Sequence, residues 1–377
     1  MKKFSFGGMR LPLLDANDGK SIDQQQTNQM IDKMIESGFT YFDTAYPYHG
    51  GMAEGAFKKA LIDRYPRESF MIADKMPSFY IYETEEFDKI FNEQLERTGA
   101  GYFDYYLLHN LGAGTYKRMT DLGAYEYLWE KKKEGKIKKL GFSYHDKAEL
   151  LDRILTEHPE TDFVQLQINY ADWESPIVQS RLNYEVCLKH NKPVIVMEPA
   201  KGGSLANVPA EVKEILRAYD PERSDIEWAM RFPASLEGVW TVLSGMSSME
   251  QLEENLVFMN DFKPLSEEEL EVLKKAAEKL ASLITIPCTA CNYCTGDCPM
   301  NINIPAYFNI YNSYKIHTHE SMPVMHYLRQ AHGRGRASEC IGCKNCESHC
   351  PQHIDITGYL KKVVDEIEIM IDPKKSY

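Results

Sequence analysis

Phe39-Thr40-Tyr41-Phe42-Asp43-Thr44-Ala45-Tyr46-Pro47-Tyr48 opens as an apolar strand and closes on an acid and then a tyrosine. It follows a helix-like segment, Gln24–Ser37, which ends at Gly38, a residue suited to the left-handed position past a helix C-terminus. This helix-then-strand unit recurs along the chain. The strand candidates are Ser5–Gly8, Phe39–Asp43, Phe70–Lys75, Tyr105–His109, Lys139–Ser143, Phe163–Asn169, Val194–Pro199 and Val239–Gly245. Among the helix-like segments between them, Glu83–Gly99 and Tyr125–Gly135 also end in glycine. Eight strands alternating with helices read as parallel βαβ units, and eight such units read as an α/β fold closed into a (β/α)8 TIM barrel. An open doubly wound sheet is the alternative, but no G-x-G-x-x-G follows the first strand.

Barrels of this kind carry their chemistry at the C-terminal ends of the strands. Asp43 ends one candidate strand, Lys75 the next and His109 the one after, with Tyr48 shortly beyond Asp43. A lone strand-end lysine is usually a solvated rim residue, and a lone histidine is more often a hydrogen-bonded structural one. Four such groups on neighbouring strand ends can instead converge on one mouth. Tyr46 competes with Tyr48 for the tyrosine's place, and His49 reads as rim.

The pattern D-T-A-x-x-Y, then a strand-end lysine, then a strand-end L-H, resembles the order of the catalytic tetrad in the aldo-keto reductases. The spacing from Asp43 to Tyr48, not to Tyr46, is the one that matches. The resemblance implies Tyr48 as general acid, Lys75 as the group that lowers its pKa, Asp43 as the partner of Lys75, and His109 as the residue that orients a substrate carbonyl. A tyrosine with an ordinary pKa near ~10 is a poor donor at neutral pH, and a neighbouring ammonium favours its phenolate. The resemblance extends to Thr241–Asn255, similar to the last strand and loop of these reductases. It implies that Ser244, Gly245, Met246, Ser248, Gln251, Glu254 and Asn255 hold the adenosine half of a dinucleotide, whose phosphates would meet a helix N-terminus. Ser143 and Gln165 would meet the nicotinamide amide, with Gly8, Met9 and Arg10 lining the floor. A serine-rich helix cap is the structural alternative for the loop. Two departures stand out: Gln251 occupies a place where many members have an arginine for the 2′-phosphate, and Met197 a place where many stack a tyrosine on the nicotinamide. NADP(H) and NAD(H) therefore both stay open, with a flavin as the alternative occupant.

Near the C-terminus, Cys288-Thr289-Ala290-Cys291-Asn292-Tyr293-Cys294-Thr295-Gly296-Asp297-Cys298-Pro299 returns as Cys340-Ile341-Gly342-Cys343-Lys344-Asn345-Cys346-Glu347-Ser348-His349-Cys350-Pro351. Each copy reads C-x2-C-x2-C-x3-C-P, a spacing that puts three thiolates on one cubane iron–sulfur cluster and sends the fourth to its twin. Cys288, Cys291 and Cys294 with Cys350 would hold one [4Fe-4S] cluster, and Cys340, Cys343 and Cys346 with Cys298 the other. The two runs resemble the bacterial two-cluster ferredoxins over about the last hundred residues. Zinc ribbons have no need of the third and fourth cysteine in this register, and a disulfide framework fits small secreted chains. The ninth cysteine, Cys187, lies in a helical-looking stretch and reads as core packing.

These features divide the 377 residues into a barrel over 1–280 and a small, loop-rich ferredoxin-like domain over 281–377, joined through a helix at Glu267–Leu283. A hydrophobic content of 43% accommodates a sizeable core. The formal charge of −13 argues against a nucleic-acid partner, and no apolar run is long enough to span a membrane. The N-terminal residues lack the apolar core of a signal peptide, and iron–sulfur centres with free thiols point to a reducing cytoplasm. Three functions follow. The first is a nicotinamide-dependent reductase of a small carbonyl compound with appended clusters. The second is an electron-transfer protein linking NAD(P)H to a ferredoxin or flavoprotein partner. The third is a non-enzymatic redox sensor. A hydride carries two electrons and a [4Fe-4S] cluster passes one at a time, so the first two readings differ in mechanism.

Overall fold

The computed structural model describes residues 2–16, 18–176, 178–316 and 323–371. Eight strands form a closed parallel barrel in sequence order: β1 Phe4–Gly7, β2 Tyr41–Asp43, β3 Met71–Met76, β4 Phe103–Leu111, β5 Ile137–Tyr144, β6 Phe163–Gln167, β7 Val194–Met197 and β8 Val239–Gly245. β8 pairs back onto β1 through Phe6 and Ser244. Every expected strand is present, with ends displaced by a few residues. β4 runs past His109 because Asn110, at φ +60°, makes a bulge that lets Leu111 rejoin β5. β7 stops at Met197, since Glu198 turns to φ +56° and Pro199 has no N–H for the ladder. Gly38, Gly99 and Gly135 all take positive φ where the helices Gln24–Glu36, Glu85–Thr98 and Ala124–Lys133 give way to strands.

Side chains two apart on a strand share a face, and this parity builds the barrel interior. Tyr41, Ala73, Leu107, Phe163, Ile195 and Leu243 form one buried cluster, with Tyr105 and Trp240 packed against it. The rings of Tyr41, Tyr105, Phe163 and Trp240 meet at centroid separations of 4.7–5.4 Å. Two residues beyond five of these six positions stand Asp43, Lys75, His109, Gln165 and Met197. The layer that closes the barrel therefore also fixes the direction in which the polar layer above it points.

The chain forms two compact units, residues 1–200 with 226–270, and residues 201–225 with 271–377. The second is helical and rich in loops, with helices at Ile304–Ile316, Pro323–Ala331 and Ile356–Glu366. Its core is Ile286, Ile302, Ile304, Tyr307, Phe308, Tyr311, Tyr327, Ile354, Ile356, Leu360, Val363 and Ile367, with Cys294 and Cys346 buried among them. The sequence repeat is visible here, because a helix begins six residues after Cys298, at Ile304, and six after Cys350, at Ile356. Among the described residues no helix is long and apolar enough to cross a membrane.

Candidate active site and cluster cradle

Lys75 is fully buried near the end of β3, and its ammonium has three partners. Nζ donates to Asp43 Oδ1 at 2.5 Å, to the Thr44 carbonyl at 2.8 Å and to the Tyr48 hydroxyl at 3.3 Å. The Asp43 carboxylate, 3% exposed, also accepts from Gln165 Nε2 at 3.1 Å. A buried ion pair persists only when its remaining hydrogen-bonding capacity is met, and Thr44 and Gln165 supply that. Tyr48 lies on the turn after β2, half-buried, its ring 5.9 Å from that of His109 and edge-on to it. His109 is itself buried, with the ring of Phe79 at 5.4 Å. Burial first, then the charge of Lys75 and the proximity of His145, hold its pKa well below the ordinary histidine range, so the imidazole is neutral.

The structure thus brings Asp43, Tyr48, Lys75 and His109 together. It places Tyr46 elsewhere, its hydroxyl donating to Glu93 at 3.0 Å with the Arg97 guanidinium over its ring. His49 is built into the wall instead of standing on the rim. Its Nε2 accepts from the Leu11 N–H at 3.1 Å while Nδ1 meets the Gly19 carbonyl at 2.7 Å. Those contacts span 38 and 30 residues, so no local pattern marks them.

The expected cofactor residues gather at the same end. Ser143 and Gln165 are paired across β5 and β6, and the Ser143 hydroxyl accepts from the Asn110 N–H at 2.8 Å. Gly8, Met9 and Arg10 form a short 3-10 turn after β1, and a Cβ on Gly8 would stand 2.4 Å from the Phe57 ring. Met197 ends β7 half-buried. At the end of β8 Gly245 is exposed, Met246 after it is buried, and the stem of Arg10 lies across Gly245. Ser248 caps the helix Met249–Asn260, accepting from the Gln251 N–H, while Gln251 Oε1 accepts from the Ser247 N–H at 2.8 Å. Glu254 is exposed, whereas Asn255 is buried and donates to Ser244 Oγ at 3.1 Å. Two further residues, absent from the sequence reading, hold this loop. Ser247 Oγ donates to the Arg10 carbonyl at 3.0 Å, and Gln26 accepts from the Met249 N–H at 3.1 Å.

In the second unit the eight thiols of the repeats line two cavities. One is lined by Cys288, Cys291, Cys294 and Cys350 with Ile304, Phe308, Ile354 and Ile356. The other is lined by Cys298, Cys340, Cys343 and Cys346 with Ile302, Ile304 and Leu360. Each cavity takes three cysteines from one run and the last cysteine of the other. Burial and the nearby thiols of Cys291, Cys288 and Cys350 push Cys294 up, and burial with Glu347, Cys340 and Cys298 pushes Cys346 up to about 11. Four thiols facing an apolar cavity form a donor set suited to a soft metal cluster. Cys187 is fully buried in the helix Ser180–Lys189, where burial pushes its thiol up and leaves it inert.

Comparison with known proteins agrees with this geometry. Residues 287–354 match the model of a 4Fe-4S dicluster domain. A curated relative, the 9,11-endoperoxide prostaglandin H2 reductase of Trypanosoma cruzi (strain CL Brener), is 25% identical over 280 residues, covering 72% of this chain and 89% of that protein. An aldo-keto reductase from Bacillus halodurans, solved in its holo form, is 21% identical over 73% of this chain and 91% of its own, with a TM-score of 0.56. An aldo-keto reductase from Klebsiella pneumoniae, solved with NADPH, is 20% identical over 72% and 90%, with a TM-score of 0.57. These two structural likenesses show the fold. Residues 3–278 match the model of the aldo/keto reductase family, so the chain, with its 4Fe-4S domain at the C-terminal end, belongs to that family of NAD(P)H-dependent oxidoreductases.

Proposed function

We propose that this protein reduces an aldehyde or ketone with Tyr48 as proton donor. The observation that carries this reading is the buried Lys75 ammonium, bonded at once to Asp43 and to the Tyr48 hydroxyl. Reduced nicotinamide, when bound, supplies a hydride to the carbonyl carbon. Tyr48 gives its proton to the carbonyl oxygen, and the ammonium of Lys75 stabilises the phenolate that remains. Asp43 keeps that ammonium aimed, and the neutral imidazole of His109 offers a ring N–H to the same oxygen. A serine-rich loop leading into the helix at Met249 presents backbone N–H groups and the helix dipole to a dinucleotide phosphate. NADPH is the cofactor we assign, because Arg10 brings to Gly245 a side chain ending in the cation that Gln251 lacks. We take residues 1–280 as the reductase module and 281–377 as the cluster module.

The second module would hold two [4Fe-4S] clusters, which supply one-electron transfer. The cavities support the crossed ligand assignment, with Cys350 joining Cys288, Cys291 and Cys294, and Cys298 joining Cys340, Cys343 and Cys346. Cys350→Ala is expected to lower bound iron from about eight to about four atoms per chain. The electron paramagnetic resonance signal left after reduction should then match that of Cys298-intact protein in which Cys291 is replaced. A signal matching instead a Cys343 variant would contradict the crossing.

Electron exchange between clusters and nicotinamide, through a ferredoxin or flavoprotein partner, is a second reading, favoured by the presence of both modules on one chain. Anaerobic titration with NADPH and NADH, followed by cluster absorbance, separates the two. Carbonyl-dependent oxidation of NADPH with unbleached clusters is the result expected for the reductase. Bleaching by nicotinamide alone would favour electron transfer.

A further inference from the structure

Behind Lys75 the barrel wall buries two carboxyl groups side by side. Asp74 precedes Lys75 on β3 and so faces the other way. Glu54 lies on the helix Ala53–Phe57, and both acids are 0% exposed. One oxygen of each is served by the protein. Asp74 Oδ1 accepts from the Lys75 N–H at 2.8 Å and from Gln94 Nε2 at 2.7 Å, and Glu54 Oε2 accepts from Arg97 Nη1 at 3.1 Å. The other two oxygens, Glu54 Oε1 and Asp74 Oδ2, are buried with no donor among the described residues, and the two carboxyls act on each other electrostatically. Ionised carboxylates only accept, so a proton on one of them would satisfy both unpartnered oxygens at once. Burial pushes Glu54 up to about 7 against the pull of Arg97 and Gln94, while burial and the Glu54 charge push Asp74 well above the carboxylate range. The other groups facing the pair are Lys75, Gln94 and Arg97, together with Tyr106 of β4, whose hydroxyl donates to Gln94 Oε1 at 2.5 Å.

We propose that Glu54 and Asp74 share one proton and that the protonated pair positions Lys75 and Tyr48 for reaction. The proposal rests on the roles assigned above to those two residues. Asp74 holds the N–H of Lys75 and so fixes the strand segment from which the lysine projects. Arg97 connects Glu54 to Glu93 and covers the ring of Tyr46, two residues before Tyr48. Loss of the proton puts two anions in contact inside the wall, and both chains of contacts must then give. Stability follows the same sign. The unfolded glutamate ionises at its ordinary pKa and the folded one near 7, so this contribution is present below the ordinary value and is lost as pH rises through about 7.

The test uses the full chain, purified anaerobically, with para-nitrobenzaldehyde and NADPH. Infrared spectra of the wild type should show a carboxylic-acid C=O band that disappears as pH rises through about 7. Turnover should fall on the same curve, about tenfold per pH unit beyond it. Glu54→Gln places a permanent N–H opposite Asp74, so it should lack both the band and that fall. Asp74→Asn should do the same from the other side, which covers the case in which one variant fails to fold. A wild type without the band, or variants with an unaltered pH profile, would overturn the proposal. A band that titrates as expected in a chain that turns over no carbonyl compound would support the shared proton and count against the reductase reading.

Discussion

Tyr48→Phe is expected to lower carbonyl turnover by ~10²–10⁴-fold, the usual worth of a positioned proton donor, while NADPH affinity stays within about twofold. The phenyl ring keeps the edge contact with the ring of His109 at 5.9 Å and the place beneath Lys75 Nζ, which lies 4.9 Å from the ring centroid. Only the hydroxyl is lost, so the change isolates the proton. Steady-state turnover of an aldehyde, read beside a fluorescence titration of NADPH, checks both halves. Full turnover in the variant would hand the proton to another group, with His109 the nearest candidate.

The second large effect is on stability. Lys75→Met replaces a fully buried ammonium by a side chain of similar reach that donates nothing. Asp43 is left as a buried carboxylate whose remaining side-chain donor is Gln165. Breaking a buried pair from one side typically costs about 3–5 kcal/mol, and urea unfolding followed by circular dichroism should show a loss of that order. Adding Asp43→Asn to the same chain removes the orphaned charge and should restore most of the stability. Turnover should not return, because the phenolate still lacks its cation. A Lys75→Met variant as stable as the wild type would mean that the pair contributes nothing to folding.

Much of this was legible in the chain because the barrel repeats one rule. Several strands place an apolar residue in the interior and a polar one two positions later, so Tyr41 announces Asp43, Ala73 announces Lys75 and Leu107 announces His109. The cysteine runs were legible for a similar reason, since their ligand spacing is short and local. What stayed hidden depends on contacts between distant segments. Nothing near Gln26 shows that its amide carbonyl meets the helix start at Met249, 223 residues away. His49 looked like a rim residue because its partners, Leu11 and Gly19, come from another loop. The Glu54–Asp74 pair escaped because a buried acid on a short helix looks like any solvated one until the strand behind it is in place.

The interlocking of the two cysteine runs has a consequence for biosynthesis. The cavity lined by Cys288, Cys291 and Cys294 lacks its fourth thiol until Cys350 has been made, and the other cavity needs Cys298 from the earlier run. Neither cradle can close while the polypeptide is still being translated through this region. The second cradle gains its last thiol at Cys346 and the first at Cys350, so metal loading of either would wait for the end of the second run, and a premature stop before residue 346 would leave both cradles incomplete.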